Sequence, residues 1–445
     1  MRDAAPNHAP AAPRAALHTL GCRLNQSETA TLAALLAARG FRIVPFETTA
    51  DLVVINSCSV TADGDAATRQ AVRAVLRRTP EAFVAVTGCS ADSAGEALAR
   101  LPGVDLVVAS ADKLRIPELV LPSLTKRAPA AWIRSRPTRG DFTIPAVGLH
   151  AGHTRATLKI QDGCGVGCSF CIVPRTRGGA RSRVFEDVLA EAQALVERGH
   201  LEIVLTGVNL GAYSQDGRDL AALLGALIAV PGLARLRISS IEPTTLTDAV
   251  LDVLASSPQA CPFLHVPVQS GDDAVLERMR RPYRRADIEK LLERIRRRLP
   301  EAAVGTDVMA GFPGEDEAAF ARTLDLLESG GFAALHAFRY SSRPGTPAAR
   351  LAAVPARAAH ARVRALRDLD AQLRRAYGER FVGRTLPVLF ERRRRPAEPW
   401  TGLAPNGLRI AVQERATLAG TIRPVVVERA WGTGWRGRLA APAAW

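Results

Sequence analysis

Two hydrophobic rhythms alternate along most of the chain, and together they predict strands followed by helices. Between residues 15 and 120, short continuous apolar runs (AALHTL, DLVVIN, EAFVAVTG) each precede a stretch in which apolar residues recur every three or four positions (ETATLAALLAARG, AATRQAVRAVLRR, SAGEALARL). Continuous runs of this length read as strands buried on both faces, and the longer period reads as helices covering them. Such β–α alternation implies a parallel sheet. The rhythm stops over 121–155, where Pro129, Pro137, Gly140, Pro145, Gly148 and Gly152 interrupt any pattern, so a linker is expected there.

From 156 to 350 the alternation resumes six times, with apolar runs in ATLKIQ, LEIVLTGVN, LRISSIEP, FLHVPVQS, AVGTDVMAGFP and LHAFRYSS. Six parallel strands are too few for a closed eight-stranded barrel, so a partial, open (β/α)6 barrel is expected. An arginine-rich helix over 351–379 bridges to residues 380–445, which read as a small all-β module (RTLPVLFE, GLRIAVQE, AGTIRPVVVERA). The first 14 residues, rich in Ala and Pro, lack the apolar stretch of a signal peptide and are expected to be a disordered extension. The fold class is therefore α/β, with a parallel N-terminal domain, a partial barrel and an all-β tail.

Composition narrows the class. No apolar run of the 445 residues reaches membrane-spanning length, so a soluble, cytoplasmic protein with no membrane partner is expected. The net charge is +15, and only four of the 59 basic residues are lysine. Residues 380–445 hold twelve Arg and four Glu, so more than half of the net charge lies in the tail. A basic terminal module is the electrostatic footprint of a polyanion partner. In this tail Phe390, Trp400, Trp431 and Trp435 are interleaved with arginine, including the run Arg392, Arg393, Arg394 and Arg395. Aromatic faces with positive charge suit single-stranded RNA; alternatively the tryptophans form the core of the module and the arginines a solvated face.

Candidate chemistry lies in the cysteines. Seven is an odd count, which without an export signal points to metal or redox work rather than disulfides. Cys164, Cys168 and Cys171 stand at C-x3-C-x2-C spacing in QDGCGVGCSFCIVPRTRGG. Three thiolates on so short a loop can hold three corners of a [4Fe–4S] cluster, which normally takes four cysteines. The nearest others in sequence, Cys89 and Cys261, are far off, so one iron keeps an open position for a cofactor or substrate. Phe170 can offer an apolar face to an aromatic ligand. A structural zinc site would need a second ligand pair, which does not follow. Cys22, Cys58 and Cys89 each stand directly after a predicted strand of the first domain, spaced 36 and 31 residues apart. The carboxyl ends of parallel strands share one edge, so these three can meet in space. In the partial barrel, Thr206, Asn209, Ser239, Glu242, Gln269, Ser270 and Asp307 gather at strand carboxyl ends, where barrel enzymes bind and react. Cys261 matches no pattern and reads as structural.

The C-x3-C-x2-C loop with an aromatic before its last cysteine resembles the signature of radical S-adenosylmethionine (SAM) enzymes. TLGCRLNQSET, INSCSV and VTGCSA accompany it, and LTGVNLGAY, ISSIEP, HVPVQSGDDAVLERMRRPY, GTDVMAGFPGE and HAFRYSSRPGTPA follow in order. Over roughly 15–350 the chain resembles the methylthiotransferases, and its tail is similar to their RNA-binding TRAM domain. TLGCRLNQSET and RGGARSR are most similar to the branch acting on threonylcarbamoyladenosine in tRNA; other branches act on isopentenyladenosine or on a ribosomal-protein aspartate. The resemblance implies two [4Fe–4S] clusters and SAM. Cys22, Cys58 and Cys89 would hold an auxiliary, sulfur-donating cluster, and Cys164, Cys168 and Cys171 the SAM-cleaving one. Phe170, Thr206, Asn209, Ser239, Glu242 and Gln269 would face the cofactor. It further implies the tRNA anticodon loop as partner, methylthio transfer to adenosine C2 by a radical route, and an electron donor such as flavodoxin or ferredoxin. A non-catalytic RNA-binding protein with structural zinc is the alternative of another class.

Overall fold

The computed structural model describes residues 12–59, 61–120, 124–126, 130–135, 140–393, 395 and 397–440. Most of the expected N-terminal extension lies outside them, as do Pro129, Pro137 and Arg394; Arg14 already opens the first strand. The chain forms two compact units. The first comprises Met1–Thr138, Ile144–Leu149 and Arg175–Arg177.

The first unit runs β1 (Arg14–Thr19), α1 (Arg23–Ala38), β2 (Arg42–Val44), β3 (Leu52–Ser57), α2 (Ala62–Arg78), β4 (Phe83–Gly88), α3 (Cys89–Ala99), β5 (Leu106–Val108) and β6 (Ala131–Ile133). The strands make one parallel sheet in the order β2-β1-β3-β4-β5-β6. Alternate residues of a strand feed opposite faces. Val53 and Ile55 of β3 pack with Val72 and Val75 of α2, whereas Leu52 and Val54 pack with Leu32 and Leu36 of α1. This is why DLVVIN reads as a continuous apolar run. The sequence pattern missed β2 and β5, whose three residues each are too short for a periodic signal. It also misread part of 121–155 as linker: Ala131–Ile133 pairs with β5 and extends the sheet.

The second unit holds β7 (Ala156–Lys159), α4 (Phe185–Glu197), β8 (Glu202–Thr206), α5 (Leu220–Ile228), β9 (Arg235–Ile238), α6 (Asp248–Ser256), β10 (Phe263–His265), α7 (Asp273–Arg278), α8 (Arg285–Arg298), β11 (Ala303–Ala310), α9 (Glu317–Ser329) and β12 (Ala334–Arg339). Parallel ladders join β7-β8-β9 and β10-β11-β12. Isolated parallel bridges, Leu236↔Ala260 and Ser240↔His265, link the two halves. The result is the expected six-stranded open barrel.

A long helix, α10 (Ala356–Glu379), leads to β13 (Thr385–Phe390), β14 (Trp400–Leu403), β15 (Arg409–Val412), β16 (Ile422–Trp431) and β17 (Gly434–Leu439), which close into a five-stranded barrel. Its core (Val388, Phe390, Trp400, Ile410, Val425, Trp435) continues onto Tyr377 and Phe381 at the end of the bridging helix. Two buried arginines of β9 fasten the small barrel. Arg235 donates to the carbonyls of Leu403 (3.0 Å) and Pro387 (2.6 Å), and Arg237 to those of Pro405 (2.9 Å) and Ala404 (3.2 Å). Glu202 pairs with Arg237 at 2.7 Å and supplies the countercharge that a buried guanidinium requires. Among the described residues, no helix is long and apolar enough to cross a membrane.

Candidate metal centres and the cofactor-binding edge

In the first unit, strand order reverses between β1 and β3, and ligands of open α/β sheets bind at such a switch point, outside the strand carboxyl ends. Cys22 follows β1, Cys58 follows β3 and Cys89 opens α3 directly after β4. The turn carrying Cys22 packs against Cys58, and Cys22 lies within electrostatic reach of Cys89. A glycine precedes two of them for a steric reason. Gly21 has φ +93°, and a Cβ there would stand 2.8 Å from Cys58 Sγ; Gly88 also has φ +93°, and a Cβ would strike the Ser57 carbonyl at 2.4 Å. Any side chain at either position would push the cysteine-bearing turns apart.

Residues that the sequence pattern did not single out surround this triad. Buried Asn25 donates to the carbonyls of Leu20 (2.8 Å) and Ser57 (3.0 Å), tying together the turns that carry Cys22 and Cys58. Its Oδ1 accepts from Arg177 at 2.8 Å. Arg177 also pairs with Glu28 at 2.8 Å, and Glu28 accepts from Lys113. Burial pushes the Cys89 thiol up, and the nearby Arg177 and Lys113 oppose that shift. Two cations beside the buried Cys89 thiol favour its thiolate, the form that ligates metal.

In the second unit, the loop after β7 carries Cys164, Cys168 and Cys171. Its backbone is fixed at several points. Cys164 N–H donates to the Gly178 carbonyl (3.1 Å), and Ser169 N–H and Oγ–H donate to the carbonyls of Met279 (2.9 Å) and Arg278 (2.7 Å). Burial raises all three thiols, Cys171 to about 12. Arg281 Nη1 donates to Cys168 Sγ at 3.0 Å. The same guanidinium donates from Nε to Tyr283 Oη (2.7 Å) and pairs through Nη2 with Glu242. Three thiols on a fixed loop, a cation directed at one of them and no fourth cysteine beside them fit a [4Fe–4S] cluster with one open iron. Among the described residues no three His, Cys, Asp or Glu side chains converge on a single ion; a cubane instead distributes its thiolates over separate irons.

The expected cofactor-facing residues divide. Glu242 is committed to Arg281. Thr206 is buried, and its carbonyl accepts from Ile160 N–H (3.0 Å); Asn209 Oδ1 accepts from the Thr245 hydroxyl (3.2 Å). Ser239 is half-buried, and its N–H donates to Leu205. Gln269 has φ +66°, and its buried Oε1 has no hydrogen-bond partner in the protein, which suits a group awaiting a ligand. Phe170 packs edge-on against Phe312, with ring centroids 6.3 Å apart, and keeps part of its surface open. Cys261 is buried before β10, at the opposite strand ends from the cysteine loop. In the small barrel one expectation is corrected. Trp400 is only 4% exposed, inside the barrel core, and Arg393 stacks 4.1 Å over its ring. That face is not open to a base; Trp431, 41% exposed, is. Arg392 and Arg395 are exposed, and Arg393 half-buried.

Comparisons with known proteins agree with this arrangement. Residues 158–327 match the Radical SAM superfamily, and residues 14–109 match the Uncharacterized protein family UPF0004. The chain is 37% identical to the threonylcarbamoyladenosine tRNA methylthiotransferase MtaB of Bacillus subtilis, covering 93% of this chain and 94% of that one. It is 35% identical to a tRNA-2-methylthio-N(6)-dimethylallyladenosine synthase of Cereibacter sphaeroides, covering 91% and 94%. The solved structure of the radical SAM methyltransferase TsrM from Kitasatospora setae superposes with a TM-score of 0.56 at 17% identity over 76% of this chain and 77% of that one, a likeness of fold. With more than a third of its residues identical over nine-tenths of its length, the chain belongs to the tRNA methylthiotransferases of the radical SAM superfamily, enzymes that use SAM and [4Fe–4S] clusters.

Proposed function

We propose that this protein transfers a methylthio group to C2 of N6-threonylcarbamoyladenosine at position 37 of tRNA, next to the anticodon. One observation carries the reaction class: the chain places a three-cysteine set at the carboxyl edge of each of two parallel sheets, and neither set has a fourth cysteine beside it. The substrate follows the MtaB relatives, from Bacillus subtilis and from Aquifex aeolicus, each 37% identical. Cys164, Cys168 and Cys171 would hold the SAM-cleaving cluster, and Cys22, Cys58 and Cys89 the auxiliary one. When bound, the clusters and SAM supply the radical and sulfur chemistry.

The chain's own residues do the rest. Arg281 orients Cys168 and offsets the charge of its thiolate, while Glu242 keeps the guanidinium in place. Gln269 Oε1 offers a buried acceptor, and Phe170 part of an apolar face. Asn25 and Arg177 hold the first triad's turns together and supply positive charge. The target base must leave its stack to react, which an anticodon loop permits at modest cost. The closed terminal barrel, TRAM-like, would grip RNA through exposed arginines and Trp431. The cytoplasm, where tRNA is found, is the expected compartment, and a flavodoxin- or ferredoxin-type protein the expected electron source.

The 35% identity to the dimethylallyladenosine synthase favours a second reading, in which the base carries a hydrocarbon arm. Anaerobically reconstituted protein with SAM, reductant and defined anticodon stem-loops separates the two. Methylthiolation of the threonylcarbamoyl stem-loop supports the proposal; turnover of the dimethylallyl stem-loop alone refutes it.

A further inference from the structure

We propose that His336, braced by Asp307 and His265, recognises the carboxylate of the substrate's threonylcarbamoyl arm and so selects the base that enters the open barrel. The inference rests on the function proposed above.

Three adjacent parallel strands bring these side chains together. His265 ends β10, Asp307 lies on β11 and His336 on β12, with Asp307 opposite His336 in register. One oxygen, Asp307 Oδ1, stands 3.1 Å from His265 Nε2 and 2.9 Å from His336 Nδ1. A carboxylate only accepts, so both nitrogens carry the protons of these bonds. For His336 this leaves Nε2 as the outward-facing atom. Exposure divides the roles: the side chain of His336 is 73% exposed, whereas those of Asp307 and His265 are 23% and 21%.

A continuous line of charged groups connects this cluster to the cysteine loop. Cys168 accepts from Arg281, Arg281 pairs with Glu242, and Glu242 lies within electrostatic reach of Asp307. Phe338, whose ring stands beside His336, packs in the same apolar cluster as Phe170 of the cysteine loop, so the two sites are neighbours. Arg281 itself is committed to Glu242, Cys168 and Tyr283.

The charge on His336 is set locally. The hydrogen bond to Asp307 raises its pKa against partial burial, with Asp370 adding to the rise and Arg374 opposing it. Asp307 is held well below the usual carboxylate range: burial alone would raise it, but its bonds to the two imidazoles dominate. The bond to Asp307 thus favours the protonated ring, whose second N–H is Nε2–H. Phe338, with its ring centroid 5.7 Å away, adds an apolar neighbour.

The chemistry of the two candidate substrates differs at the atom this group can read. A threonylcarbamoyl arm ends in a carboxylate, and a dimethylallyl arm is hydrocarbon. In the open barrel the imidazolium is screened by water; a bound base displaces that water and strengthens the ion pair. Charged hydrogen bonds of this kind are worth about tenfold or more in affinity.

The test is fluorescence anisotropy of the full-length, cluster-reconstituted protein with anticodon stem-loops bearing threonylcarbamoyladenosine, dimethylallyladenosine or adenosine. Wild-type protein is expected to prefer the threonylcarbamoyl stem-loop by about tenfold or more. His336→Gln should abolish the preference while leaving affinity for the adenosine stem-loop unchanged, and His336→Arg should restore it. A preference that survives His336→Gln overturns the inference while leaving the proposed function standing. Loss of preference in a folded His336→Arg protein also overturns it, because charge would then not be what is read. Wild-type protein indifferent to the arm overturns both readings.

Discussion

At the scale of single residues, Arg281 has the sharpest consequence. Its Nη1 lies 3.0 Å from Cys168 Sγ, and hydrogen bonds to cluster sulfurs and local net charge set the potentials of iron–sulfur sites. A donor to the thiolate favours the reduced, more negative cluster. Arg281→Met is therefore expected to lower the reduction potential of the SAM-cleaving cluster, measured by redox titration followed by electron paramagnetic resonance. Glu242→Gln should raise it, because the guanidinium then stands without its countercharge. Unchanged potentials in both variants would contradict the assignment of Cys168. The Asp307–His336 pair adds a pH dependence. The raised value of His336 means its stabilisation is present below about pH 6.5 and fades as pH rises through the folded value; the lowered value of Asp307 means its stabilisation is present above about pH 3.9 and is lost on further acidification. Asp307→Asn should therefore cost more thermal stability near pH 5.5 than near pH 9; an equal cost at both would refute the linkage. The cysteines were legible in the sequence because three follow predicted strands and three stand at C-x3-C-x2-C spacing. Arg281 and Arg177 were not, because a basic run such as RMRRPY reads as solvated surface until folding buries one member of it.

At the scale of elements, the three-residue strands and the small barrel separate what pattern can tell from what packing decides. The long apolar runs were legible because both of their faces are covered. Strands as short as Leu106–Val108 or Ala131–Ile133 have no period to detect, and only sheet pairing defines them. Interleaved tryptophans and arginines in the tail were compatible with either a core or an RNA surface, and the fold divides them. Trp400 serves the core, so Trp400→Ala should cost about 3–5 kcal/mol in chemical denaturation. Trp431→Ala should leave stability nearly unchanged and weaken tRNA binding. The reverse pattern would contradict the division. The Arg237–Glu202 pair has a related role: Arg237→Met leaves Glu202 only the longer 3.6 Å pairing with Arg235 and removes the donors to the carbonyls of Pro405 and Ala404, so calorimetry should register a lower Tm.

At the scale of the whole molecule, the net charge of +15 and the arginine-rich tail suit a protein whose substrate is a polyanion. The small barrel shares its core with Tyr377 and Phe381, so excising residues 380–445 would disturb more than RNA binding. Replacing Arg392 and Arg395 with serine is the cleaner change, because both are exposed. If each neutralises a phosphate, the log–log salt slope of tRNA affinity should fall by about 0.7–0.9 for each arginine replaced, with SAM cleavage in the absence of tRNA unaltered. If two separate cysteine triads jointly install a methylthio group on tRNA, both are needed for the product in the cell. Nucleoside mass spectrometry of tRNA from a strain lacking the gene, complemented with wild type, Cys58→Ala or Cys168→Ala, measures this. 2-Methylthio-N6-threonylcarbamoyladenosine is expected to disappear on deletion, to return with wild type and to return with neither variant, while unmodified N6-threonylcarbamoyladenosine accumulates. Persistence of the methylthio nucleoside in the deletion strain, or its full return with Cys58→Ala, would contradict it.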